Sequence, residues 1–308
     1  MVELRGNRFL VTGGSGFIGS HVVDRLVERG ADEVVVFDKV VRAENLVHAQ
    51  ERGSVRVVEG DITDAGAVRD VVSGVDGIFH MAVLPLGPSV ENPRLAHDVN
   101  VGGSLNVFEA ARGTGVQKVV YSSASSVYGD TPETTDESHP LNTRTMYGAT
   151  KLAGELYLRA FNDAYGLPYV TLRYMNVYGP RQEGGLVMAV TRRLLAREAP
   201  TIQGDGSQSF DFVHVRDVAD ANVHAMASDV SDDTFNVGSG GEATVRAVVE
   251  KLIDITGAGV EPSYDTTQRV LMTRRVGTNT RAKEKLGWSV SIGLDEGLRE
   301  TVDWVNAR

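Results

Sequence analysis

The stretch from Phe9 to Leu26, FLVTGGSGFIGSHVVDRL, decides how the rest of the chain is read. The apolar run Phe9 to Val11 reads as a buried strand. Ile18, Val22, Val23, Leu26 and Val27 then fall on one helical face that can cover a sheet. Between them Gly13, Gly16 and Gly19 open a strand-to-helix turn. Glycines at such a turn allow a tight bend and close backbone approach to a pyrophosphate, and the helix amino terminus favours phosphate charge. The spacing is G-x-x-G-x-x-G, and by itself it also fits an ordinary strand-to-helix connection. Asp38, at the end of the second strand, lies 19 residues past Gly19. An acid there accepts hydrogen bonds from an adenosine ribose and repels a 2′-phosphate, which favours NAD over NADP. Lys39 and Arg42 lie close enough to weaken that preference. Asp61, in EGDITD, is either an adenine-side contact or the cap of the next helix.

Outward from this stretch, apolar runs at Arg8 to Val11, Glu33 to Phe37, Val55 to Val58, Gly77 to His80 and Lys118 to Tyr121 alternate with segments of helical period. Alternating strands and helices imply right-handed crossovers and a parallel sheet. After about Gly179 the rhythm changes: a turn at 204 to 209, a strand at Phe210 to His214, a helix from Val215, and amphipathic helices at Thr244 to Thr256 and at the carboxyl end. The expected fold is α/β, a Rossmann-type doubly wound parallel sheet with a smaller mixed α/β substrate-binding domain. Residues 1–177, with a returning segment near 210–240, would hold the dinucleotide, and 178–308 the substrate.

With 308 residues, 42% hydrophobic and 23% charged, the chain is long enough for a large core and is not of disordered composition. A net charge of −10 without a basic cluster argues against nucleic acid as a partner. No run approaches a membrane span, and the amino terminus enters a strand too soon for a signal peptide. With no cysteine, disulfides, thiolate metal sites and cysteine nucleophiles are excluded, and a cytoplasmic location with no metal is the default expectation.

In TRTMYGATKLAGELYLRAF, Tyr147 and Lys151 are four apart and share a helix face. A phenol ionises at about pH 10, too high for a base at neutral pH. A neighbouring ammonium and an oxidised nicotinamide both favour the phenolate. The pair thus reads as a base and its tuning partner.

The motifs VTGGSGFIGSH, GDITD, VNVGGSLNVFEAA, SSASSVYGD, YGATK, LRYMNVYGPRQ, GDGSQSFDFVHVRDVADA, FNVGSG and LGW together resemble the extended short-chain dehydrogenase/reductase family, in its sugar-nucleotide epimerase and dehydratase branch. The resemblance implies tightly held NAD and a nucleoside-diphosphate sugar as substrate. It implies Tyr147 as base, and Lys151 on the nicotinamide ribose. Cofactor contacts would come from Gly13, Gly16, Phe17, Ile18, Gly19, Asp38, Asp61, Ile62, Met81, Ala82, Asn100, Ser122, Tyr147, Lys151 and Tyr174, with Asn100 also supporting the site's geometry. Substrate contacts would come from Leu84, Ser125, Tyr147, Asn176, Arg181, Phe210 and Arg269. His80 falls beside the cofactor but, as a lone histidine at a strand end, reads as structural. A homodimer formed by the helices after Asn92 and Thr145 is also implied.

The chain departs from this pattern in YSSASSVYG, Tyr121 to Gly129. The family's reactive Ser or Thr belongs at position 124, which is Ala124. Losing one such donor typically costs about 10²–10³ in rate. Ser123 and Ser125 both point away from the face of residue 124 in a regular strand, so a bulge or strand end must bring one of them in. The Asp-Glu pair of the 4,6-dehydratases is replaced by Ser125 and Ser126, and the decarboxylases' glutamate is absent. What remains is oxidation followed by hydride return to the other face, a 4-epimerisation of a UDP-hexose such as UDP-glucose or UDP-galactose. The alternatives are an NAD(P)-dependent sugar-nucleotide reductase or dehydrogenase, and a non-catalytic NAD sensor. Phe210 stands where many relatives have a diphosphate-binding arginine, for which Arg181, Arg269 or Arg274 could compensate, while Arg216 would pair with solvent or an acid.

Overall fold

The structure is a computed structural model describing residues 1–267 and 272–308. The apolar runs become β1 (Arg8–Thr12), β2 (Glu33–Asp38), β3 (Val55–Glu59), β4 (Gly77–His80), β5 (Lys118–Ala124) and β6 (Tyr169–Tyr174). Between them lie α1 (Phe17–Glu28), α2 (Val47–Gln50), α3 (Ala65–Val72), α4 (Leu86–Glu91), α5 (Pro93–His97), α6 (Ser104–Ala111) and α7 (Met146–Tyr165). The carboxyl part contributes β7 (Asn176–Tyr178), α8 (Leu186–Leu195), β8 (Thr201–Gln203), β9 (Ser209–Phe210), β10 (Phe212–His214), α9 (Val215–Ala227) and β11 (Asp233–Val237). It ends with β12 (Ala243–Thr244), α10 (Val245–Thr256), β13 (Ser263–Asp265), β14 (Arg274–Arg275), α11 (Thr280–Leu286) and α12 (Leu294–Asn306).

Seven of these strands form one parallel sheet in the order β11-β6-β5-β4-β1-β2-β3. Strands covered on both faces must be apolar along their length, and Val34 to Phe37, Phe9 to Val11, Ile78, Phe79, Val119 and Val120 are all fully buried. One face packs on α1, α9 and α11, the other on α3, α6 and α7. Each large aliphatic side chain so buried contributes roughly 1.5–3 kcal/mol. The chain order reverses between β1 and β4, and such a switch point opens a crevice at the strands' carboxyl ends.

α1 starts immediately against β1: a Cβ on Gly19 would sit 2.2 Å from the Gly13 carbonyl oxygen, so this approach requires glycine. Asp64 caps α3, accepting from the Gly66 and Ala67 N–H groups. Thr145 caps α7 and Gly166, in the left-handed conformation, ends it.

After β7 a separate core forms from α8, α10 and α12 around Tyr178, Phe212, Val248 and Leu298. The chain then returns, through α9 and β11, to the edge of the large sheet. The expected strand at Phe210 to His214 is two strands in different small sheets, β9 beside β12 and β14, and β10 beside β7. The break falls at Asp211, whose buried carboxylate accepts from Ser239 N and Oγ, each at 2.7 Å, and from Gly240 N at 3.1 Å. Among the described residues no helix is long and apolar enough to cross a membrane.

Candidate active site

The glycine turn delivers α1's first N–H groups unobstructed, since Gly16, the cap residue, has no side chain to occupy them. Phe17 and Ile18 begin that helix. Asp38 is held at the rim of the turn by Ser15, whose N–H and Oγ donate to Asp38 Oδ2 at 3.1 and 2.8 Å. The two nearby cations are engaged elsewhere: Lys39 pairs with Asp61 at 2.7 Å and Arg42 with Glu183 at 2.6 Å. Both pairs are largely exposed and weak, and Arg42 still feels the charge of Asp38. Asp61 is not the cap of the next helix, a role Asp64 fills; it accepts from Thr63 N at 2.9 Å. Ile62 is buried, with its carbonyl accepting from Asn106 at 2.9 Å. Open helix N–H groups for a pyrophosphate and a carboxylate for a ribose fit NAD.

Thr12 Oγ1 accepts the Met81 and Ala82 N–H groups, both at 3.2 Å, so its own proton points to His80 Nδ1 at 2.7 Å. His80 Nε2 therefore carries the ring proton and donates to Ser104 Oγ at 2.9 Å, which donates on to the Asn100 carbonyl at 2.6 Å. Burial holds His80 far below the usual histidine range, at about 3. It is a neutral strut. Asn100, in the π-helical turn 98–103, accepts from Leu84 N at 2.6 Å and donates to Leu84 O and Thr150 Oγ1. Both amide groups are thus committed to protein: Asn100 latches the loop carrying Leu84 onto α7.

α7 brings Tyr147 and Lys151 to the end of β5. Lys151 Nζ donates to the Ser122 carbonyl at 2.6 Å and lies 6.0 Å from the Tyr147 ring centre. Burial pushes Lys151 down to about 7, with Glu155 opposing, and pushes Tyr147 up to about 12, with Arg275 opposing. With Lys151 turned to a carbonyl and both groups dehydrated, the chain without its cofactor's positive charge favours neutral forms. Tight docking of α7 requires Gly148, where a Cβ would lie 2.1 Å from Thr143 Oγ1 and 2.8 Å from the Ser126 carbonyl.

β5 pairs with β6 regularly through Ala124, opposite Tyr174, so there is no bulge. A 3-10 turn, Ser125–Val127, follows directly and resets the side-chain directions. Ser123 Oγ donates to Glu155 Oε1 at 2.5 Å, within a buried network in which Arg173 grips Glu155 at 2.7 Å and also donates to the Tyr128 hydroxyl at 2.9 Å. Ser123 is therefore withdrawn from the reacting side. Ser125 and Ser126 of this turn are also buried, and the Ser126 hydroxyl has no hydrogen-bond partner among the described residues. Asn176 Nδ2 is likewise buried and unpartnered. Tyr174 donates to Asn222 Oδ1 at 2.9 Å and lies 3.8 Å from Met81 Sδ.

Two expected diphosphate contacts do not gather here. Arg181 pairs with Asp24 of α1 at 2.8 Å, and Arg274 is bound to Glu242 at 2.8 Å and to the Pro132 carbonyl. Arg269 lies outside the described residues. Arg216 pairs with Glu300, and Phe210 packs edge-on against Phe212. The sequence reading missed Glu155, although Tyr147, Lys151 and Glu155 are spaced by four on one helix face, and it missed Arg275, which no motif marks.

The model of the NAD dependent epimerase/dehydratase family matches residues 9–238. UDP-glucose 4-epimerase of Mycolicibacterium smegmatis is 40% identical over 308 residues, covering 96% of this chain and 98% of that protein. The structure of Thermotoga maritima UDP-glucose 4-epimerase with UDP-glucose superposes with a TM-score of 0.91 at 36% identity, covering 97% and 99% of the two chains. That of Thermus thermophilus UDP-glucose 4-epimerase in complex with NAD gives 0.88 at 35%, with the same coverage. With its open α1 terminus, its Asp38 acid and its Tyr147–Lys151 pair, the chain belongs to the NAD dependent epimerase/dehydratase family.

Proposed function

We propose that the protein is an NAD-dependent 4-epimerase of a nucleoside-diphosphate sugar of the UDP-hexose class, working through a transient 4-keto sugar. The observation that carries this reading is the meeting of Tyr147 and Lys151 with a strand end that bears serines, not carboxylates, at 125 and 126. Bound NAD supplies a hydride acceptor that can return the hydride, and a positive charge that favours ionised Tyr147. Tyr147 takes the proton of the 4-hydroxyl and gives it back after the sugar presents its other face. Lys151, fixed by the Ser122 carbonyl, orients toward the nicotinamide ribose. Ser125 Oγ donates to the reacting oxygen, and Asn176 Nδ2 to a further sugar or phosphate oxygen. Elimination or decarboxylation would need an acid or base that positions 125 and 126 lack.

Residues 1–177 with a return near 210–240 are assigned to the cofactor and 178–308 to the sugar nucleotide, in a cytoplasmic homodimer. Incubation with UDP-glucose, UDP-galactose and their N-acetyl and uronic forms tests the activity: interconversion of a C4 pair is expected, and none with any substrate contradicts it. NAD retained through purification is expected; a cofactor that binds and leaves each turnover points instead to a reductase.

A further inference from the structure

Glu155 and Arg173 form an ion pair inside the protein, with only 8% and 5% of their side chains exposed. Arg173 Nη2 donates to Glu155 Oε2 at 2.7 Å and Nε to Oε1 at 3.0 Å, and Ser123 Oγ adds a further bond to Oε1. The reaction above uses neither residue. A buried pair of this kind is seldom worth more to stability than apolar side chains of the same volume, so its location calls for another reason. Glu155 lies one turn of α7 beyond Lys151. Side chains four apart on a helix are neighbours, and a buried ammonium and carboxylate attract each other with little water to screen them. Among the described residues, however, no carboxylate lies within salt-bridge distance of Lys151 Nζ. It donates to the Ser122 carbonyl at 2.6 Å, which leaves two of its three N–H groups. Arg173 stands on β6 opposite Ser123 of β5, and between them they take up both oxygens of Glu155. Arg173 is itself anchored, since Nη1 donates to the Tyr128 hydroxyl at 2.9 Å and that hydroxyl donates to Asn236 Oδ1 at 2.7 Å.

We propose that Arg173 is a positioning residue for Lys151: by gripping Glu155 it keeps the carboxylate off the ammonium, so that Lys151 is left for the nicotinamide ribose of NAD. This rests on the placing of Lys151 at that ribose in the 4-epimerase reading. Without Arg173, Glu155 turns to Lys151, the cation one helical turn away, and the new pair takes up the N–H groups that the cofactor needs. Neutralising Glu155 as well removes the competitor, so the second change repairs the first.

The test follows the rate at which the holoenzyme loses NAD on dilution, and kcat for a C4 pair of UDP-sugars, with urea unfolding alongside. It compares the wild type, Arg173→Met, Arg173→Lys and the double variant Glu155→Gln with Arg173→Met. Arg173→Met is expected to lose NAD faster and to fall in kcat by about 10- to 10²-fold, the scale of a hydrogen bond to a charged group. Arg173→Lys, which keeps a cation on Glu155, and the double variant, which has no carboxylate left to capture Lys151, are expected to return close to wild type in both. Should methionine prevent folding, Arg173→Gln, which can still donate to Glu155 but carries no charge, takes its place with the same expectation. Wild-type NAD loss and kcat in the folded single variant overturn the inference. A double variant as impaired as the single one overturns it too, since the pair then acts only as structure. NAD loss reports on Lys151 whether or not a sugar is turned over, so a wild type inactive on every sugar nucleotide counts against the 4-epimerase reading and leaves the NAD comparison to decide this inference.

Discussion

Ser123 and Ser125 stand two residues apart in one serine-rich stretch and hold opposite positions. Ser123 is tied to Glu155 and through it to Arg173, so Ser123→Ala is expected to lower unfolding stability by ~1–3 kcal/mol, as a buried carboxylate loses a donor. Its turnover should fall far less than that of Ser125→Ala, for which a loss of about 10²–10³ in kcat is expected. Steady-state kinetics beside urea unfolding separates the two; the reverse pattern would show the hydroxyl assignment to be wrong. Sequence left both serines open, because the parity rule fails at the unforeseen 3-10 turn. The histidines carry a separate signature. Burial holds His21 and His80 at about 3, so the native protein keeps them neutral while the unfolded chain protonates each below about 6.5. Their contribution is full above that value and is lost as pH falls toward 3, at ~1.4 kcal/mol per pH unit for each. His80→Gln should be less stable at pH 7 yet show a shallower acid slope between pH 6 and 4; an unchanged slope would mean His80 does not titrate on unfolding.

At the scale of elements, α7 sets the site, and its docking depends on a glycine. Gly148→Ala places a methyl against the Ser126 carbonyl, which cannot move without shifting the 125–127 turn. A stability loss of ~1–3 kcal/mol is expected, together with a fall in kcat, because the turn carries Ser125. A variant with wild-type kcat would show that α7 and the turn tolerate separation. The five amino-terminal strands and the paired Tyr147 and Lys151 were legible because strand and helix periods are local signals. The split at Asp211 and the commitment of Asn100 to Leu84 and Thr150 were not, because both depend on partners distant in sequence. Arg275 was illegible for the same reason: its register with Phe210 of β9 is set only by the fold.

For the whole molecule, apolar side chains remain in the open on one group of helices: Leu86 and Val90 of α4, Leu95 of α5, and Leu156 and Tyr157 of α7, with α4 and α5 packed on α7. Such a surface suits the proposed homodimer. A particle of twice the 33.1 kDa chain mass is expected in solution, with Val90→Asp and Leu156→Asp together giving the single-chain mass; a wild-type monomer would contradict the pairing. The central claim is that one hydride leaves C4 and returns to the same carbon on its other face. The most direct test gives the purified protein UDP-glucose and UDP-glucuronate bearing deuterium at C4 and follows the products by NMR. The predicted result is the C4 epimer of at least one substrate with its deuterium kept and no net reduced cofactor. Absence of either epimer, or an epimer that has lost its deuterium to solvent, would contradict the account.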